Sequence, residues 1–198
     1  MREDKRSLFG SFMAGSMLIF LLAYSCVASH ADELPASHAA CVSCKGTLSP
    51  LGRWCDNGNG TVTDMTTGLV WLKDAGWGGP FPLQTNTASQ VTAYDRASMV
   101  KNGYPTSLTD RSAAGDWSLP TLNQLKSLTT GTEGVNLNGT YFFTGVMYFD
   151  LLYPNGYWSS TPNAQDTSWA WVVFMDYGSV QNFPKDWSFH VWPVRAGH

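Results

Sequence analysis

The chain has 198 residues and a net charge of −3, and charged and aromatic residues each make up 14 % of it. This length allows one domain with a substantial hydrophobic core after an export segment is removed. No cluster of basic residues is visible, so the composition argues against DNA or RNA as a partner.

Residues 1–31 resemble a secretory signal peptide. The segment starts with basic residues, and residues 13–23 are apolar but too short to span a bilayer comfortably. Small residues precede Ala31, so we expect cleavage there and export to the periplasm, the cell surface or the medium. The alternative is lipidation of Cys26, which would attach the protein to a membrane through a lipid anchor.

Residues 32–51 form an N-terminal arm that carries a C-x-x-C motif, and the domain proper is predicted at residues 52–197. Cys41, Cys44 and Cys55 are odd in number, so two should pair while the third stays free or pairs between chains. A redox or metal motif is disfavoured because no βαβ pattern and no second C-x-x-C accompany it. We expect a structural disulfide to Cys55, and the sequence leaves its partner open.

The first predicted element of the domain is a β-hairpin. Residues 56–64 read DNGNGTVTD, and two Asn-Gly pairs between β-like runs are a strong hairpin signal. A calcium loop starting at Asp56 would need oxygen ligands at its third, fifth and twelfth positions, the last a Glu, but these are Gly58, Gly60 and Thr67. Residues 68–73 are predicted to form the next strand.

The first predicted helix follows a T-x-x-Q capping box at residues 87–90. Its apolar spacing predicts about four turns ending at Asn102-Gly103. We expect its buried face to consist of Val91, Tyr94 and Ser98.

A second capping box at Thr121 and Gln124 predicts another amphipathic helix. It should end at residues 129–131, where Gly131 supplies a stop. We expect its buried face to consist of Leu122, Leu125 and Leu128.

The C-terminal forty residues are rich in aromatic side chains and turn residues, which is the pattern of a hairpin-linked sheet. Residues 168–175 are apolar on both faces, so this strand should be central and covered on both sides. Residues 176–179 should form a turn, since Gly178 accepts a positive φ, and residues 180–183 should return beside the central strand.

Residues 189–195 are predicted to form a third strand of the same sheet. Pro193 lacks an N–H, so this strand should lie at an edge or be bulged there. Because their neighbours are apolar, we expect four tryptophans of the region to be buried: Trp158, Trp169, Trp171 and Trp192.

Several motifs in this order resemble one family. They are DNGNGTVTD with TGLVW at residues 67–71, DWSLPT at 116–121, YWSST at 157–161 and VWPVR at 191–195. Together they are similar to the motifs of the DUF1566 family, also called the Lcl C-terminal domain family. The resemblance covers roughly residues 52–197, and Ser118 departs from it because the family usually has Arg at this position.

The resemblance implies a C-type-lectin-like α+β single domain related to the formylglycine-generating enzymes. The expected architecture is two amphipathic helices with a small antiparallel, aromatic-rich sheet. The resemblance also implies export and a surface location. A collagen-like adhesin of the family binds sulfated polysaccharide and associates with itself, so the resemblance implies these properties as well.

We therefore expect an exported, non-catalytic binding module that recognises carbohydrate or a surface protein and forms a homo-oligomer. Because the net charge is negative, uncharged glycans are expected over sulfated ones. Trp158 is a further candidate for ligand binding, although we expect it to be buried. The candidate ligand-binding residues lie at turns and strand ends: Ser160, Asn163, Asp176, Tyr177, Asn182 and Trp187.

Two alternatives remain: an assembly component of the cell envelope, and a degenerate enzyme of the formylglycine-generating type. Such enzymes use a late cysteine pair, and no cysteine follows Cys55. A Ser/His/Asp site would need His190, which lies in a predicted strand without a nucleophile elbow. We expect no metal or other cofactor; calcium assists many lectins, but no cluster of ligands in the sequence supports it.

Overall fold

The structure is a computed structural model that describes residues 43–131, 133–135, 141–147 and 155–197. The predicted signal peptide, the lipidation candidate Cys26 and the arm cysteine Cys41 lie outside the described residues. In the described part, no helix has the length and apolar character needed to cross a membrane.

Two five-stranded sheets and two short helices make up the described part, so the α+β prediction is confirmed. The strands are β1 (Thr47–Leu48), β2 (Trp54–Asp56), β3 (Thr61–Asp64), β4 (Leu69–Leu72), β5 (Pro80–Pro82), β6 (Tyr157–Pro162), β7 (Trp169–Val173), β8 (Val180–Pro184), β9 (Ser188–His190) and β10 (Val194–Ala196). The helices are α1 (Ala93–Ser98) and α2 (Leu122–Leu128).

The first sheet has the order β1-β2-β3-β4-β10 and is antiparallel throughout. The predicted hairpin joins β2 to β3, with Gly58 and Gly60 at positive φ. The Asp56 carboxylate accepts hydrogen bonds from Gly58 N at 3.0 Å and from Lys73 Nζ at 2.5 Å. Burial raises the pKa of Asp56, but these two hydrogen bonds outweigh it, so the pKa is lowered overall.

The second sheet has the order β5-β9-β6-β7-β8, with β6 and β9 parallel and the other pairs antiparallel. The prediction of a single small sheet was therefore wrong, because the described strands form two sheets. Residues 189–195 divide at Pro193, so that β9 joins the second sheet and β10 joins the first. Pro193 has no N–H to donate, while its carbonyl accepts from Leu72 N at 3.1 Å, and the chain crosses between sheets there.

A disulfide joins Cys44 to Cys55, which confirms the predicted clip between the arm and the first hairpin. It lies where β1 pairs with β2. The buried Glu133 holds the same segment, because its carboxylate accepts from Ser49 Oγ at 2.7 Å and from the backbone N–H groups of Leu51 and Arg53. Burial raises the pKa of Glu133, but these hydrogen bonds more than compensate and lower it overall.

The first helix differs from its prediction. Its capping box is formed by Thr92 and Asp95, not by residues 87–90, and the helix extends for six residues. Ala93 and Ala97 are buried, whereas Tyr94 is 45 % exposed. The predicted buried face was wrong: Val91 lies before the helix, and Tyr94 and Ser98 face outward because the small alanines pack against the sheet.

The second helix agrees with its prediction. Thr121 and Gln124 form the capping box, Leu125 and Leu128 are buried, and the helix ends at Thr129. Leu122 is partly buried and packs against the same cluster.

The two helices lie against opposite faces of the second sheet. Ala93 and Ala97 of α1 share a hydrophobic cluster with Trp158, Ala170 and Val172. Leu125 and Leu128 of α2 belong to another cluster, which also contains Tyr157, Val173 and Met175. Each face of β7 therefore has a helix near it, but the two faces are covered to different extents.

Candidate binding face

Trp169 and Trp171 lie on one face of β7, and this face is only partly covered. Both side chains are partly buried, whereas Ala170 and Val172 on the other face are fully buried. The prediction of four buried tryptophans is therefore correct for Trp158 and Trp192 and wrong for these two.

The strand register shows which side chains share this face. In an antiparallel pair, residues directly opposite each other project to the same side. Trp171 lies opposite Asn182, and Trp169 lies opposite Pro184. We call these four side chains the tryptophan face.

α2 covers one end of this side of the sheet and leaves the other end open. Its leucines pack over Tyr157 and Val173, at the end of β7 that lies away from Trp169. Among the described strands β8 is at the edge of the sheet, so none of them flanks Asn182 on its outer side. Neither of the two hydrophobic clusters formed by the described residues includes Trp169 or Trp171.

The side-chain polar atoms of the tryptophan face have no partner in the described part of the chain. Among the residues that the structure describes, no hydrogen bond involves the indole N–H of Trp169 or Trp171, or the side-chain amide of Asn182, and no ring packs against either indole. Four buried indoles are hydrogen-bonded within the fold: their N–H groups donate to Glu133 O, Ser112 Oγ, Phe81 O and Leu72 O, and these are Trp54, Trp117, Trp158 and Trp192. The buried indole N–H of Trp71, by contrast, has no partner in the described part.

The other residues nominated from the sequence are spread around the second sheet. Tyr177 is 86 % exposed in the β7–β8 turn, beside Asp176, whose Oδ1 is buried without a hydrogen-bond partner in the described part. This turn lies against α2, because a Cβ on Gly178 would be 2.6 Å from Thr129 Oγ1.

The remaining candidates lie elsewhere. Trp187 is 49 % exposed and packs on Phe183, which projects to the opposite face from Asn182. Asn163 is buried beyond β6, where its Oδ1 accepts from Gln165 N. The carbonyl of Ser160 accepts from the hydroxyl of Tyr94, under α1. The six candidates therefore do not form one site, and of them the tryptophan face includes only Asn182.

Two other places in the described part carry polar or titratable side chains. A polar cavity of about 300 Å³ is lined by residues that include Asp56, Lys73 and Asp74, but Lys73 is already bound to Asp56. His190 packs against the Tyr157 ring, and burial lowers its pKa. Within the described ranges, no carboxylate bonds to His190, and no three His, Cys, Asp or Glu side chains group in a metal-binding arrangement.

These features define a small α+β domain with a helix against each face of its second sheet and an open aromatic surface beside one helix. The chain belongs to the Lcl C-terminal domain family, because the model of that family matches residues 60–195, more than half of the chain. No curated protein matches the chain. The resemblance seen in the motifs is thus confirmed at the level of the family.

The sequence did not reveal that Trp169 and Trp171 are partly exposed, because a strand that is apolar on both faces resembles a fully buried one. One signal was available. The predicted return strand contains Gln181 and Asn182, and polar residues in a strand suggest an edge that leaves its neighbour partly open.

Proposed function

We propose that this protein is an exported, non-catalytic recognition domain that binds carbohydrate through the tryptophan face. Sugars present flat C–H surfaces beside hydroxyl groups. A site for them combines aromatic rings with hydrogen-bonding groups that the fold has left free. The ligand in this proposal is a glycan of another surface, which makes the protein adhesin-like.

The observation that carries this proposal is a set of side-chain polar groups without partners in the described part, beside indoles that are partly exposed. Two indole N–H donors and one amide, which both donates and accepts, lie on one face of neighbouring strands. A hydroxylated ligand can satisfy all of them without displacing any bond of the fold.

Export is supported by the disulfide between Cys44 and Cys55 and by the signal-like residues 1–31. Disulfides persist in oxidising compartments and are rare in the cytosol. We place the mature protein in the periplasm, at the cell surface or outside the cell.

A glycan array probed with the purified protein tests the proposal. We expect at least one glycan to bind, with the affinity falling about tenfold or more in Trp171→Ala, a usual loss for a central aromatic anchor. Asn182→Ala should weaken binding as well, and it leaves both indoles in place. Trp187→Ala and Tyr177→Ala are matched controls, since each removes an exposed ring outside the tryptophan face.

Binding to no glycan of any class would contradict the proposal. Loss of binding in Trp187→Ala or Tyr177→Ala, with Trp171→Ala unaffected, would move the site to the exposed turns. Thermal melting of each variant separates lost binding from lost folding.

An assembly role is the second candidate, and the surface around α1 favours it. Val91, Tyr94, Met99 and Tyr104 are each between 37 and 45 % exposed. Grouped exposed apolar side chains often mark protein contacts. A stable oligomer in light scattering that dissociates in Tyr94→Ser, together with an empty glycan array, would favour this role over the first.

A further inference from the structure

The tryptophan face also indicates which kind of carbohydrate it takes. Resting on the proposed function, we infer that its ligand is an internal stretch of a linear, uncharged polysaccharide, lying along β7 across Trp169 and Trp171. Three features support this inference: charge, spacing and openness.

The first feature is the absence of charge. On this side of the sheet, β7 presents Trp169, Trp171 and Val173, and β8 presents residues that are also neutral. The residues of β6 on the same side are neutral as well. α2 beside the face carries one charged residue, Lys126. A sulfated or carboxylated ligand is normally held by several Arg or Lys side chains, and this side of the three strands offers none.

The second feature is the spacing of the indoles. Residues two apart on one side of a strand are separated by about 7 Å. This is longer than one pyranose ring, so a single sugar cannot stack on both indoles. Two consecutive sugars of an extended chain can, and their rings then follow the direction of β7.

Asn182 fits the same arrangement. It lies directly across from Trp171, so its amide is beside a sugar stacked on that indole. The amide donates and accepts, which suits the paired hydroxyls of a sugar with equatorial substituents. Such sugars also present C–H groups on both flat sides, as stacking requires.

The third feature is that the face is partly exposed, since its four side chains are each partly and not fully buried. It lies on a sheet surface beside an edge strand, and the two cavities described by their lining residues do not include Trp169, Trp171 or Asn182. A closed pocket selects the terminal sugar of a chain, whereas an open surface lets the chain continue in both directions. The ligand is therefore an internal segment.

Isothermal titration of the purified protein tests the inference with soluble linear probes. The neutral probes are cellohexaose, xylohexaose and mannohexaose, each paired with its own monosaccharide, and the charged probes are a heparin hexasaccharide and cellulose sulfate. We expect at least one neutral hexasaccharide to bind about tenfold or more tightly than its monosaccharide, since a second indole is engaged. The affinity should be unchanged between about 0.05 and about 0.5 M sodium chloride, because no ion pair contributes.

Variants connect the result to the face. Trp169→Ala should reduce the preference for the hexasaccharide over the monosaccharide, while Asn182→Ala should weaken both. Asn182→Ala also serves if Trp169→Ala fails to fold, which circular dichroism reports. Tyr177→Ala is the matched control and should leave the affinity unchanged.

The outcomes separate the inference from the proposed function. Binding to charged probes alone, affinity that falls with salt, or equal affinity for monosaccharide and hexasaccharide would overturn the inference and leave carbohydrate recognition standing. An empty glycan array together with no heat from any probe would overturn both.

Discussion

Trp158 and Trp171 belong to neighbouring strands of one sheet, yet their indoles are in opposite environments. Trp158 is fully buried, its N–H donates to Phe81 O at 2.9 Å, and its ring packs edge-on against Phe189. Trp171 is partly buried, and neither a hydrogen bond nor a ring contact of its indole occurs in the described part.

The difference shows that the burial of a tryptophan depends on the element that covers it and not on the residue type. α1 approaches its face of the sheet through Ala93 and Ala97, so aromatic side chains of the sheet fill the space beneath it. α2 packs through Leu125 and Leu128 over one end of the opposite face. The first face is thus hydrophobic core at Trp158, Ala170 and Val172, and the second is core only where α2 lies and keeps Trp169 and Trp171 partly exposed.

The largest expected effect on stability comes from removing a buried tryptophan of the face that α1 covers. Trp158→Ala should lower the free energy of unfolding by about 3–5 kcal/mol, because it removes a fully buried ring and leaves the Phe81 carbonyl without its donor. Urea unfolding followed by circular dichroism measures the change. If Trp158→Ala costs no more than Trp187→Ala, the two faces do not differ as described.

A smaller effect is expected on the open side. Trp169→Ala should lower the free energy of unfolding by about 1 kcal/mol, the range of strand preferences at sites where packing is incomplete. The same urea titration measures it, and the ratio of the Trp158 and Trp169 effects is the quantity of interest. A loss as large as that of Trp158→Ala would mean that the tryptophan face is core.

The smallest effect should appear as a difference in pH dependence. Burial lowers the pKa of His190 below its usual 6.5, so the folded state disfavours the protonated form. Stability from the neutral imidazole is therefore complete above pH 6.5 and is lost as the pH falls through the lowered value. The carboxyls of Asp56 and Glu133 titrate below their usual 3.8 and 4.5, outside this window.

We expect the melting temperature to fall between about pH 6.5 and about pH 5 in the wild type and to change less in His190→Phe. Glycan affinity measured over the same range should stay constant, since none of the side chains of the tryptophan face titrates there. An affinity that follows the melting temperature would couple the two faces and contradict the comparison.

Much of the fold could be read from local sequence. The Asn-Gly pairs of residues 57–60 define their hairpin, because they accept the positive φ that a tight turn requires. Thr121 and Gln124 define the start of α2 in the same way, since a capping box satisfies the first backbone donors locally. The T-x-x-Q motif at residues 87–90 predicted the wrong start for α1, because Thr92 and Asp95 form the capping box five residues later.

The candidate site was less accessible to such reasoning. Exposure was expected for Tyr177, Asn182 and Trp187 because they lie near turns, and it is confirmed for Tyr177 and Trp187, whereas Asn182 lies within β8 and is partly buried. That these residues lie on separate parts of the sheet depends on strand register and on the paths between strands, which turn signals do not encode.

The sequence by itself determined the secondary structure of the hairpins and of α2, the presence of an aromatic sheet and the family of the chain. These depend on dihedral preferences, capping and motif order, which act between residues close in the chain. Tertiary structure alone decided that Pro193 divides a strand between two sheets, and that Trp169 and Trp171 remain partly open while Trp158 is closed. The physical reason is that burial depends on which distant element lies above a side chain, and an apolar strand pattern is the same in either case.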